Sequence, residues 1–149
     1  MTTMTVSRFE RLFKRAASLD VDKEDLRRYN DFVNRKIYDL LLIGQAHAKA
    51  QARDVILPID LPITKGLQDC MHAFKDLDEE IELTAELDRL TRHPSLDPEY
   101  SDDLEAELAR VAGGLSVALA RSFKIIDPKI KNPMTEHWER AFRLFDLIL

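Results

Sequence analysis

From Lys23 to Ala50 the chain runs without a proline and with one glycine, Gly44. Apolar side chains recur at Leu26, Tyr29, Val33, Ile37, Leu40, Leu41, Gly44 and Ala48. Those steps of three and four draw one face of a helix. At 1.5 Å per residue that helix is roughly 42 Å long. One short neighbour cannot shield a rod of that length; it requires a second long helix crossing it, or several short ones. The loop after it, ARDVILPID, carries Arg53 and Asp60 on either side of apolar Val55, Ile56 and Leu57. A guanidinium and a carboxylate so placed can close a bidentate, charge-assisted pair that pins the loop as a structural clamp.

The remaining elements are arranged around this unit. Ahead of it, Phe9, Leu12, Phe13 and Ala16 give a short amphipathic helix from Ser7 to Ser18, with Ser7 as N-cap and Glu10 completing a capping box. Arg8, Arg11, Lys14 and Arg15 occupy its opposite face. Asp22 is the expected cap of the long helix. Asp60 and Pro62 signal a third helix whose buried stripe is Ile63, Leu67, Cys70, Met71 and Phe74. The second half repeats this order less cleanly. A short helix spans Ile81 to Thr91, residues 93–98 (HPSLDP) break it, and Asp97 or Ser101 caps the next helix. That second long helix covers Tyr100 to Ile126, where Gly113-Gly114 permits a kink or a very close helix crossing. Asn132 as N-cap and Pro133 at the first position then open a terminal helix carrying Trp138, Phe142, Phe145 and Ile148, with Trp138 and the phenylalanines read as core. A shift of 76 residues lays Arg53 on Lys129 and Asp60 on Glu136, which predicts a second clamp, Lys129–Glu136. The chain therefore reads as all-α, one domain over 1–149 made of two helix triplets, 6–76 and 80–149.

Composition narrows the function. No run approaches the roughly 18 apolar residues of a membrane span, and no secretory h-region opens the sequence. The lone cysteine, Cys70, excludes an internal disulfide and fits a reducing cytoplasm. Cys70 and His72 diverge on a helix, so they are not read as metal ligands. No nucleophile elbow, phosphate-cradling glycine loop or catalytic carboxylate pair is present, which argues against an enzyme and against any cofactor. The net charge of −5 is unlike that of a generic nucleic-acid binder. It is divided unevenly, however. Residues 1–76 hold 13 Lys and Arg against 11 Asp and Glu, and residues 77–149 hold 9 against 16.

Short, long and short helices, with an arginine in the last loop seven residues ahead of an aspartate, resemble the histone fold. FERLFKRAA and ARDVILPID are similar to the archaeal histone pattern, and the whole chain resembles the bacterial family in which two histone folds are fused in one polypeptide. The resemblance implies that the two long helices cross antiparallel in an intramolecular handshake, each burying the other's stripe. It also implies a cytoplasmic, nucleoid-associated protein that binds double-stranded DNA through phosphates with little reading of bases. Arg8, Arg11, Lys14 and Arg15 would supply a central patch. Lys23 beside Lys129 and Lys131 would supply one end, and Arg53 the other. Asp20 and Asp54 stand where archaeal histones carry cations, and Ala50 where they carry a histidine used to join dimers. The alternative is a histone-fold protein–protein interaction module, with no appreciable DNA binding, whose acidic second half meets a basic partner.

Overall fold

The computed structural model describes residues 5–91 and 99–149; the break at 93–98, with Asp97 as a cap, lies outside them. Six helices succeed one another: α1 (Val6–Ala17), α2 (Lys23–Ala50), α3 (Lys65–Ile81), α4 (Thr84–Leu90), α5 (Asp102–Ile126) and α6 (Thr135–Ile148). The fold is all-α, with a single two-residue bridge among the described residues in which β1 (Val55–Ile56) pairs in parallel with β2 (Glu99–Tyr100).

The long helix α2 has the bounds its periodicity predicts, and Asp22 caps it. The Asp22 carboxylate accepts from the N–H groups of Glu24 and Asp25 at 2.9 and 3.1 Å, while Asp25 accepts from the Asp22 N–H at 3.1 Å. The other starts differ from expectation: α4 begins at Thr84, not Ile81, and α5 at Asp102, not Tyr100, capped by Ser101, one of the two candidates. Thr5, not Ser7, is at the N-cap of α1, and no side chain caps it, so the Ser7–Glu10 box is absent. Helix α3 begins at Thr64, whose hydroxyl accepts from the Leu67 N–H at 3.1 Å. Pro62 holds Leu61 in extended backbone, ψ 135°, which separates Asp60 from that helix and leaves it in a short 3-10 turn, Pro58–Asp60. Beyond Pro133, α6 starts at Thr135 with Met134, not Asn132, at its N-cap. The first triplet also runs past residue 76, because α3 continues to Ile81 and ends only where Glu82 turns left-handed, φ 61°. Asp78 then fixes the short link to α4 by accepting from the N–H groups of Leu83 and Thr84 at 2.7 and 2.9 Å.

From Val111 to Val117 every residue of α5 is buried. A helix apolar on all sides must be enclosed, and α1, α2, α3, α4 and α6 all pack on it. The closest of these is α3. A Cβ built on Gly113 would overlap the Phe74 ring, and one on Gly114 would overlap the Met71 side chain and lie 3.1 Å from the Met71 backbone nitrogen. The glycine pair therefore serves a close crossing. The expectation that the two long helices are covered chiefly by each other is corrected accordingly: α5 is covered mainly by α3 and α4, while its contact with α2 includes Tyr29 and Ser116, whose hydroxyls are 2.7 Å apart.

The start of each long helix lies beside the end of the other. The Asp20 N–H donates to the Lys131 carbonyl at 2.6 Å, and the Ser101 N–H donates to the Ile56 carbonyl at 3.0 Å. Helix α6 in turn runs along α2. Trp138 Nε1 donates to Asp25 at 3.0 Å, Arg28 to the Thr135 hydroxyl at 2.7 Å, and buried Lys36 to Asp146 at 2.5 Å. Each third helix thus packs on the long helix of the opposite triplet. An unbroken series of ring contacts joins them, from Phe9 and Tyr29 through Phe13 to Phe123, Trp138, Phe142, Phe32 and Phe145. Trp138, buried as expected, is at the centre of that series.

Gly113→Ala is expected to destabilise by about 1–3 kcal/mol, because Phe74 must shift. Gly66→Ala meets open space on α3 and should stabilise by up to about 1 kcal/mol. Urea midpoints of the two variants check both signs.

Candidate nucleic-acid interface

The loop after α2 is built around one carboxylate. Ala52 adopts a left-handed conformation, φ 56°, which turns Arg53 back so that its N–H donates to the Ala48 carbonyl at 2.9 Å. The Arg53 guanidinium then donates twice to Asp60, both at 2.6 Å. The Leu57 N–H donates to the same carboxylate at 2.7 Å, and His47 Nδ1 lies 2.5 Å from it. The Asp60 side chain is fully buried. A buried anion is tolerated only when so completely paired. Arg53 beside it, then the Leu57 N–H and His47, hold its carboxyl well below the usual range despite burial. The predicted clamp is present, and it commits Arg53 to the protein itself.

The second clamp is not built as predicted. Glu136 pairs with Arg140 one turn along its own helix, and Lys129 is exposed with no ion pair among the described residues. Its place is taken by a pair of opposite polarity. His137 Nε2 faces Asp127 at 3.3 Å, while His137 Nδ1 accepts from the Met134 N–H at 3.0 Å. The reason is local: Glu136 falls on the outer face of the first turn of α6, and His137 falls where it can cap.

The remaining cations divide into two groups. Arg8 meets Glu86 at 3.4 Å, Lys14 meets Asp20 at 2.9 Å, and Arg15 meets Glu80 at 2.7 Å. Arg11, Lys23, Lys129 and Lys131 are exposed and have no ion pair among the described residues. The Asp20–Lys131 backbone bond gathers the last three onto one end of the molecule. Arg27, one turn beyond Lys23, is also exposed and without an ion pair among the described residues. Sequence reasoning passed over it, although its i,i+4 spacing from Lys23 was a usable signal. The opposite end offers Arg53, already committed, beside exposed Asp54, and one exposed lysine, Lys49, without an ion pair among the described residues. The structure therefore brings the candidate cations together at one end and not at the other.

A family model described as a domain of unknown function, DUF1931, matches residues 9–146. The crystal structure of a Thermus thermophilus protein is 50% identical, with a TM-score of 0.87 over 98% of this chain and 99% of that one. A crystal structure of an Aquifex aeolicus protein, 21% identical, shares the fold with a TM-score of 0.82 over 96% of this chain and 94% of its own. No curated protein matches the sequence.

Arg53→Ala leaves a buried carboxylate without its main partner and is expected to cost about 2–4 kcal/mol. Because folding lowers the Asp60 pKa, its contribution is complete above the ordinary value of 3.8 and is lost as pH falls below it. Thermal melts from neutrality into acid should show the gap between wild type and variant at its widest near pH 7 and narrowing in acid.

Proposed function

The chain belongs to the DUF1931 family, and we propose that it is a histone-like, sequence-tolerant DNA-binding protein of the bacterial nucleoid, its two triplets forming an intramolecular handshake of two histone folds. The antiparallel ends of α2 and α5, the loop-to-loop bonds at both ends and the exchange of third helices support that architecture. So does the bidentate Arg53–Asp60 pair, the feature on which the resemblance to histones rests.

One observation carries the DNA reading. Lys23, Lys129 and Lys131 converge on one end through the Asp20–Lys131 bond, exposed and without ion pairs among the described residues. Charges presented this way neutralise phosphates and carry little base information. Arg11 extends the set along α1, and Arg27 along α2. Arg8, Arg15 and Arg53, each held by a carboxylate, contribute less than their positions suggest. With its free cations concentrated at one end, the protein coats or bends duplex DNA and does not wrap it extensively. The pairing of those cations with acidic groups, together with the excess of carboxylates after residue 76, favours a second reading as a protein-interaction module.

A salt series separates the two. Duplex affinity should fall steeply between roughly 50 and 200 mM salt, with a log–log slope of about −0.9 for each phosphate neutralised. Lys23→Glu combined with Lys131→Glu should weaken binding and flatten that slope by roughly 1 to 2, with an unchanged melting temperature. A titration identical to wild type would remove this end from the interface and leave the protein-interaction reading.

A further inference from the structure

We propose that the Asp20 carboxylate occupies a phosphate seat on the protein's own surface, as an internal competitor that holds duplex binding down. This rests on the DNA reading and adds a means of regulating the same site. Leu19 and Val21 are buried on either side, which turns Asp20 outward, and its N–H is fixed to the Lys131 carbonyl. The carboxylate is thus held at the junction of the two loops and meets Lys14 Nζ at 2.9 Å. Both belong to an open groove of about 500 Å³ that also presents Ser7, Glu10 and Arg11. A carboxylate oxygen on an ammonium makes the contact that a phosphate oxygen would make there.

Exposure distinguishes this pair from the other cation–carboxylate pairs of the candidate surface. The side chains of Asp60 and Glu86 are 0% and 4% exposed, so Arg53 and Arg8 are tied to anions that cannot leave. Lys14 and Asp20 are each 61% exposed, more than Arg15 and Glu80 at 56% and 46%. An ion pair so open adds little to stability and is readily exchanged. Phosphate at Lys14 must therefore either displace Asp20 or sit beside its like charge, and binding is weaker by the cost of one or the other.

The test is a duplex titration of wild type, Asp20→Asn, Lys14→Gln and the double variant. Asp69→Asn, which removes a carboxylate paired with Lys65 at 2.6 Å outside the groove, controls for net charge. Asp20→Asn should tighten binding by roughly three- to ten-fold at about 50 mM salt, as expected for one unit charge at contact distance in water. The gain should shrink as salt rises and should be smaller in the Lys14→Gln background, while Asp69→Asn binds like wild type. The inference is overturned if wild type binds and Asp20→Asn binds no tighter. It is equally overturned if the gain is the same with and without Lys14, or if Asp69→Asn reproduces it. If neither wild type nor Asp20→Asn binds duplex DNA at low salt, the DNA reading itself fails and this inference with it.

Discussion

The middle of helix α5 cannot stand with any side in water. Its segment from Val111 to Val117 is buried all round, and apolar surface of that extent must be removed from solvent. Neighbouring helices supply the cover, and the densest part of it depends on two missing methyl groups. Gly113 and Gly114 let Phe74 and Met71 of α3 approach to where a side chain would otherwise be. Glycine within a helix lowers helix stability, so the sequence accepts a local loss for closer packing. The rest of the architecture is a consequence of that enclosure: α3 is drawn across to the second triplet, α6 lies on α5 and reaches α2 through its side chains, and the two triplets share one core.

The two loops that end the long helices solve one problem with different chemistry. After α2, a buried carboxylate collects a guanidinium, a backbone N–H and an imidazole. After α5, an imidazole caps the next helix and leans on a half-exposed carboxylate. The first arrangement is stiff because an unpaired buried charge is so unfavourable. The second is open to solvent and makes smaller demands on its partners. That difference also decides which of the two loops keeps free cations. Arg53 is consumed by its clamp, whereas Lys129 and Lys131, released from any clamp, stay in water.

Much of the fold was legible from periodicity. The bounds of α2, the cap at Asp22, the burial of Trp138 and the Arg53–Asp60 pair all derive from side-chain spacing and the scarcity of helix breakers. Helix starts were legible only in part. Asp60 and Asn132 have the chemistry of caps, but Pro62 holds Leu61 extended, and both helices are entered beyond their prolines, at Thr64 and Met134. The Gly113-Gly114 pair announced a kink or a close crossing, and only the three-dimensional path of α3 chooses between them. The Lys129–Glu136 pair misled because a shift of 76 residues preserved charge sign but not helix face. The state of the cations was the least legible part. A run such as Arg8, Arg11, Lys14 and Arg15 looks uniform in sequence, yet three of the four meet carboxylates brought in from the loop after α1, the end of α3 and α4.

The two ends of this molecule are chemically unlike, and that gives it a heading. A two-fold symmetric pair of identical chains presents the same face after half a turn, so it meets an elongated partner in two indistinguishable poses. Here the tip bearing Lys23, Lys129 and Lys131 has no twin: the other tip answers with a neutralised arginine, the bare carboxylate of Asp54 and a single exposed lysine, Lys49. A rod-shaped ligand engaged by the first tip therefore meets one face of the protein, whichever way along the rod the chain runs.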